Sequence, residues 1–491
     1  MRYAFQCKVN FTGGIISPGY LLHIIQSLQD AGIDEVRFGL RQQLLIDVTK
    51  KNYDRLVASF EANAIQFEMN KEAYPNIISS YAAEGIFAPD SWLREGVYKD
   101  IFDGFDYTPR LKINISDANQ SFTPFFTGHI NWIASPANHF WYLFIRFPKM
   151  KEMYQWPELI YTNDIPRLSK YVEELMMADK EGDGPSLFKK VTESITVISK
   201  PVEQPLQLPK FQLPYYEGFN NYGNKSWLGI YRRDELFPVN FLKDIAATCL
   251  KTKVGQLYTT PWKSIVIKGI ERTDRALWDY VLGKYRINVR HASNELGWQV
   301  EDNNDDGLNI KRHIIRQFDK EDVRTFGLCF AVKTNPTATL FGSVLIERRY
   351  GLVRNNRVAL DSFDIYYTQH FNPNSSNYIL FREAVKKEHL DTYLISVCKY
   401  YYEVQSEEAD EQVIDYTPPA AEVIKDVEGN IYQCRHCLTI YDEAAGEEAQ
   451  QIAPGILFAD LPASYCCHLC EAPKEDFTVI ERASLTAMLL S

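Results

Sequence analysis

The opening residues alternate: Tyr3, Phe5, Cys7 and Val9 interleave with Arg2, Ala4, Gln6 and Lys8, the period of a strand with one buried face. A helix is predicted next. Ser17 is a good N-cap and Pro18 fits the first helical position, where its missing N–H costs nothing. Leu21, Ile24, Ile25 and Leu28 form one apolar stripe, and Gly32 ends the helix. Val36-Arg37-Phe-Gly-Leu-Arg41-Gln42-Gln-Leu-Leu-Ile-Asp-Val48 then reads as a strand with a bend, and Leu56 and Phe60 mark a further helix.

That unit returns later in the chain. A shift of 221 positions lays residues 36–49 on residues 257–270, Leu21 on Leu242, Ile24 on Ile245, Leu28 on Cys249, Leu56 on Leu277 and Phe60 on Val281. One shift that keeps both helix stripes and a strand implies two fused copies of one α+β module. The copies are expected at 1–202 and 203–404, joined by an extended surface connector spaced by Pro201, Pro205, Pro209 and Pro214. Residues 405–428, with the acidic run Ser406-Glu-Glu-Ala-Asp-Glu411 and Pro418-Pro419, read as a solvated tether to a small domain at 429–482, followed by a tail at 483–491.

Composition narrows the function. At 491 residues the chain predicts several domains, and its net charge of −11 argues against nucleic acid or an anionic membrane as the main partner. No stretch of about 18 apolar residues occurs, so the expected location is cytoplasmic. The nine cysteines are an odd number, and Cys7, Cys249, Cys329 and Cys398 sit in apolar surroundings, as reduced core thiols do. Neither a Ser-His-Asp or Cys-His arrangement nor a phosphate-binding glycine loop is legible. The aromatic runs at 140–144 and 400–402 read as packing.

The chemistry concentrates near the C-terminus. Cys434-Arg-His-Cys437 and Cys467-His-Leu-Cys470 are two CxxC pairs, and two such knuckles facing each other make a tetrahedral sulfur cage for zinc or iron. Around them stand Tyr432, Tyr441-Asp442, Ile452-Ala-Pro-Gly455, Phe458, Asp460-Leu-Pro462, Tyr465, Ala472-Pro-Lys474 and Phe477. In these positions the segment resembles a rubredoxin, the single-iron electron carrier. The resemblance implies that Cys434, Cys437, Cys467 and Cys470 bind one iron, with Cys466 outside the ligand set and zinc as the alternative metal. Leu438 and Glu471 replace the glycines usual after each pair, and His468 replaces a proline, so the knuckles are expected to be strained or tilted. His436 and His468 are expected to face solvent.

The body carries a second resemblance. Arg37-Phe-Gly-Leu-Arg41-Gln42, Thr260-Pro-Trp-Lys263 and Pro109-Arg110-Leu-Lys112 are similar to signatures of the nitrite and sulfite reductase haemoproteins, which are built from a duplicated half. The implied fold is α+β, two reductase halves of ferredoxin-like type plus a small metal-bound β domain. The resemblance also implies that Arg37, Arg41, Arg110 and Lys112 face a tetrapyrrole carboxylate or an anion. The same residues on a sheet also commonly pair with nearby acids. Asn335 and Thr339 stand where that family's cluster cysteines would be, and no cysteine lies between Cys249 and Cys329. A four-iron cluster is therefore not expected, sirohaem is disfavoured, and the chain reads as something other than a self-sufficient reductase. The expected function is an electron-transfer protein serving nitrite or sulfite assimilation, with a reductase or flavoprotein as redox partner. Two alternatives stand beside it: a sirohaem- or anion-binding oxidoreductase subunit, and a zinc-stapled scaffold.

Overall fold

The computed structural model describes residues 5–88, 91–148, 150, 152–349, 362–375, 377–413, 430–450 and 452–480. Tyr3 of the opening alternation, residues 414–428 of the expected tether and the tail from 483 lie outside them. The chain divides into two compact units, Met1–Gln405 and Ser406–Ser491.

In the larger unit the repeat is visible element by element. The strand Phe5–Asn10 matches Lys225–Ile230, and the helix Pro18–Asp30 matches Val239–Lys251. Ser17 Oγ accepts from Tyr20 N–H at 3.2 Å and Gly32 closes the first helix at φ +72°. The hairpin turns coincide in their hydrogen bonds. Gly39 N–H donates to Gln43 O (2.9 Å) and Gln42 N–H to Gly39 O (3.0 Å); Thr260 N–H donates to Ser264 O (3.1 Å) and Lys263 N–H to Thr260 O (3.2 Å). Gln42 and Lys263, equivalent by the shift, both hold positive φ.

The shift is not constant to the end. Cys7 faces Ile46 just as Leu228 faces Ile267, but beyond that pair the second copy has a bulge, with Gly269 at φ +81°. One inserted residue moves everything after it on by one. Trp278 and Leu282, rather than the expected Leu277 and Val281, therefore take the core places of Leu56 and Phe60, with Val281 buried beside them.

The two copies exchange strands. Ile15–Ile16 of the first copy pairs with Leu257 and Tyr258, and Phe237–Pro238 of the second pairs with Val36 and Glu35. One core results, in which Leu21, Ile24 and Leu28 are buried with Leu242, Ile245 and Cys249. Each fully buried aliphatic side chain there contributes about 1.5–3 kcal/mol. Both faces of the first strand are covered. Lys8, expected on the solvent side, is buried in an ion pair with Glu68.

Each copy then adds a mixed sheet of the same topology. Ile78–Ser79, Ile113–Ser116 and Ile130–Ala134 run parallel, and Phe140–Ile145 and Glu158–Tyr161 follow antiparallel. In the second copy Trp298–Val300, Phe330–Lys333 and Val344–Arg349 are parallel, and Ser362–Thr368 and Tyr378–Lys386 antiparallel. The connector between copies is not wholly superficial, because its own apolar residues Phe211, Leu213 and Tyr216 are buried. The acidic run from Ser406 continues the helix Leu390–Val413.

The copies are also clasped by Gln42, which is fully buried. Its side-chain Nε2 donates to Ser79 O at 3.0 Å and to Thr259 O at 2.9 Å, while Oε1 accepts from Ser79 N–H at 2.8 Å. Gln42→Ala orphans all three backbone groups and is expected to cost roughly 2–4 kcal/mol, read as a lower urea midpoint. A loss below about 1 kcal/mol would show that water replaces the clasp.

Candidate metal centre

The smaller unit is a three-stranded antiparallel sheet with Ile431–Cys434 between Ile440–Asp442 and Phe477–Ile480. Its core is almost wholly aromatic. Tyr432 stacks on Phe458 at 4.0 Å, and Tyr441, Tyr465 and Phe477 pack around them. So few side chains cannot stabilise a domain of this size alone, and a metal supplies what is missing.

Two knuckles follow the first strand and precede the last, and they repeat one backbone pattern. Leu438 N–H donates to Cys434 O (3.0 Å) and Glu471 N–H to Cys467 O (2.8 Å); Cys434 N–H donates to Thr439 O and Cys467 N–H to Ala472 O, both at 2.8 Å. Leu438 and Glu471 adopt φ +64° and +61°. The side chains have not tilted the knuckles away. They occupy the glycine conformation and carry its strain.

The four Sγ atoms lie within 4.8 Å of one another, with Cys437 to Cys467 at 3.3 Å and Cys434 to Cys470 at 3.6 Å. Metal–sulfur bonds of about 2.3 Å in a tetrahedron put the sulfurs roughly 3.8 Å apart, so the donor set fits a single iron or zinc ion. Among the described residues this is the one cluster of metal-ligating side chains of its kind. Cys434 and Cys467 are buried, whereas Cys470 reaches the surface. Burial acts against ionisation in the body, where it pushes the thiols of Cys7, Cys249, Cys329 and Cys398 up to about 12. At Cys437 the Thr439 hydroxyl outweighs it and brings the thiol down to about 6. The imidazoles turn to carboxylates, His436 Nε2 to Asp476 at 2.9 Å and His468 Nδ1 to Glu447.

With this geometry in place, the relatives are informative. Residues 431–477 match the rubredoxin family. The Probable rubredoxin HupI of Bradyrhizobium diazoefficiens is 49% identical over 49 residues, which are 10% of this chain and 71% of that protein. Rubredoxin-2 of Alcanivorax borkumensis is 50% identical over 48 residues, 10% of this chain, but the match spans only 28% of that relative. Through its C-terminal domain the chain belongs to the rubredoxin family. The body is similar in fold to the Mycobacterium tuberculosis NirA protein, with a TM-score of 0.61 over 80% of each chain at 12% identity.

The structure distributes the basic residues of the body unevenly. Arg37 is taken up by Asp47 (3.3 Å) and Asn303 (3.2 Å). The strand ends at Phe38, so Arg41 lies on the hairpin turn and donates to the carbonyls of Asn76 (2.6 Å) and Ile113 (2.9 Å) and to Asn114 Oδ1 (3.3 Å). Lys263 is buried against Glu235 at 2.7 Å and Asp302 at 3.4 Å. Arg110 falls in a bend ahead of the Ile113–Ser116 strand and is exposed. Asn335 is exposed too, its N–H held by Glu301.

Lys112 gains neighbours that the sequence did not flag, His129 and Arg146. Burial and then the charges of Arg41 and Arg146 hold its ammonium down. Lys112 N–H donates to His129 Nδ1 at 3.1 Å, and burial followed by Lys112, Arg146 and Arg41 lowers His129 to about 4. The only sequence signal for this grouping was spacing across two strands, which cannot be read before the strands are paired.

Two outcomes follow. Leu438→Gly relieves the left-handed strain and is expected to stabilise the metal-loaded domain by about 0.5–1 kcal/mol after glycine's entropy is set against it, read as a higher unfolding temperature. Between pH 6.5 and about 4 the unfolded chain binds a proton that folded His129 refuses. Its contribution is therefore complete above pH 6.5 and is lost as pH falls through about 4. His129→Gln should reduce the drop in urea midpoint between pH 7 and pH 5; an unchanged drop would mean that His129 titrates normally.

Proposed function

We propose that this chain is an electron-transfer protein whose single redox centre is an Fe(Cys)4 site on Cys434, Cys437, Cys467 and Cys470. The observation that carries this is the preorganised cage of four sulfurs inside a rubredoxin domain. Bound there, iron supplies reversible one-electron transfer with little change in geometry. The chain's residues position it: the two knuckles fix the sulfurs, the aromatic core excludes water from Cys434 and Cys467, and exposed Cys470 offers the edge through which a partner couples. Among the described residues of this unit, Asp442, Asp460, Glu471, Glu475 and Asp476 outnumber Arg435 and Lys474, which favours a reductase or flavoprotein with a basic docking surface.

A place in nitrite or sulfite assimilation is supported by the NirA-like fold of the body. The residues do not fit that family's sirohaem with its cluster, since Arg37, Arg41 and Lys263 are committed to internal partners and, among the described residues, the body's thiols do not gather into a group of three or more. The reductase is then a separate chain. Among the described residues no helix is long and apolar enough to cross a membrane.

The protein as isolated is expected to contain one iron per chain and to show a visible absorption that bleaches on one-electron reduction and returns on oxidation. A colourless protein holding zinc alone would replace this reading with the scaffold. A second reading, binding of a small anion by the body, is favoured by the grouping of Lys112, Arg146 and His129, where burial and then neighbouring positive charge lower Lys112 and His129. Calorimetric titration with sulfate should then give a binding heat that Lys112→Ala abolishes, whereas equal heats from both proteins would dismiss it.

A further inference from the structure

The two knuckles share a backbone pattern but differ at one side chain. Thr439 and Ala472 hold matching places, each two residues after the second cysteine of its pair and each accepting from the first. Thr439 brings a hydroxyl whose Oγ1 lies 2.9 Å from Cys437 Sγ. Ala472 brings a methyl, so Cys470 has no such neighbour on its own knuckle. A metal-bound thiolate has no proton to give, so the hydrogen in the Thr439–Cys437 contact is the hydroxyl's. Both residues are half-buried, which shields the bond in part from competing water.

The consequence follows from charge. On reduction one electron passes from a one-electron donor to ferric iron, giving ferrous iron; no bond breaks and no proton moves. The Fe(Cys)4 unit becomes more negative by one charge, and part of that charge falls on the sulfurs. A hydrogen bond to an ionised acceptor strengthens with the charge on it, so a donor aimed at one sulfur favours the reduced state.

We propose that Thr439 is a potential-setting residue, its hydroxyl raising the reduction potential of the centre through Cys437 and making the two knuckles electronically unequal. This rests on the iron reading above. The effect is local to Thr439, because the matching position on the other knuckle has no donor side chain.

The test is equilibrium redox titration of the iron-loaded full chain, followed by its visible absorption, for the wild type, Thr439→Val, Thr439→Ala and Thr439→Ser. Loss of the hydroxyl in the valine and alanine variants should shift the ferric-to-ferrous ratio at a fixed poise by three- to tenfold toward ferric, the upper figure being about 59 mV for one electron. Their sulfur-to-iron absorption should move to longer wavelength, and the serine variant should stay with the wild type. The proposal is overturned if valine and alanine leave the potential unchanged, or if serine falls as far as they do, which would assign the effect to packing of the methyl group. The alanine variant adds no bulk, so a valine variant that fails to fold does not end the test. If the wild type itself binds no iron, both this inference and the iron reading fall; if iron binds and the potential ignores the hydroxyl, only this one does.

Discussion

Four sulfurs held within 4.8 Å of one another are the constraint from which the C-terminal unit takes its form. As thiolates they repel, and as thiols they waste the geometry; only a cation at the centre makes the arrangement favourable. The rest of the domain serves that cage. A short sheet carries the knuckles, an aromatic cluster covers two of the four sulfurs, and two residues accept left-handed backbone so that the turns can close. Leu438 and Glu471 show how strict the demand is. A side chain that disfavours positive φ is tolerated there sooner than the turn is given up.

The body is governed by a different constraint, the exchange of short strands between its two copies. Because each copy completes the other's sheet, neither half has a finished core without its partner half, and the helices Pro18–Asp30 and Val239–Lys251 meet in one apolar interior. The turns that carry Gln42 and Lys263 sit at this junction. Both are buried, but only Gln42 reaches across the junction, to Thr259 O; Lys263 pairs with Glu235 and Asp302 of its own copy. Arg37 and Arg41, which the family resemblance placed around a prosthetic group, are turned to internal partners. Arg110 is the exposed member of the set, and Lys112 lies half-buried beside His129 and near the charge of Arg146.

Much of this was legible in the residues alone. The duplication, the first helix with its cap and stop, the four cysteines and the character of the C-terminal domain all rest on local spacing. A helix stripe, a CxxC turn or a repeat is written in neighbouring positions and needs no tertiary context. The sequence also marked Arg37, Arg41, Arg110 and Lys112, but as one set.

Only the folded chain could divide that set, because side-chain partners come from strands far apart in sequence. Arg37 meets Asn303 and Arg41 meets Ile113, while Lys112 meets His129 and feels the charge of Arg146. The one-residue bulge at Gly269, which moves the second copy's core positions onward, leaves no mark in a gapless comparison. The burial of Lys8 opposite Glu68 likewise depends on a strand that alternation could not foresee. The cage of cysteines was determined by spacing; the inequality of its two halves, a hydroxyl against one sulfur and none on the matching residue, was decided by which side chains the knuckles bring within a bond's reach.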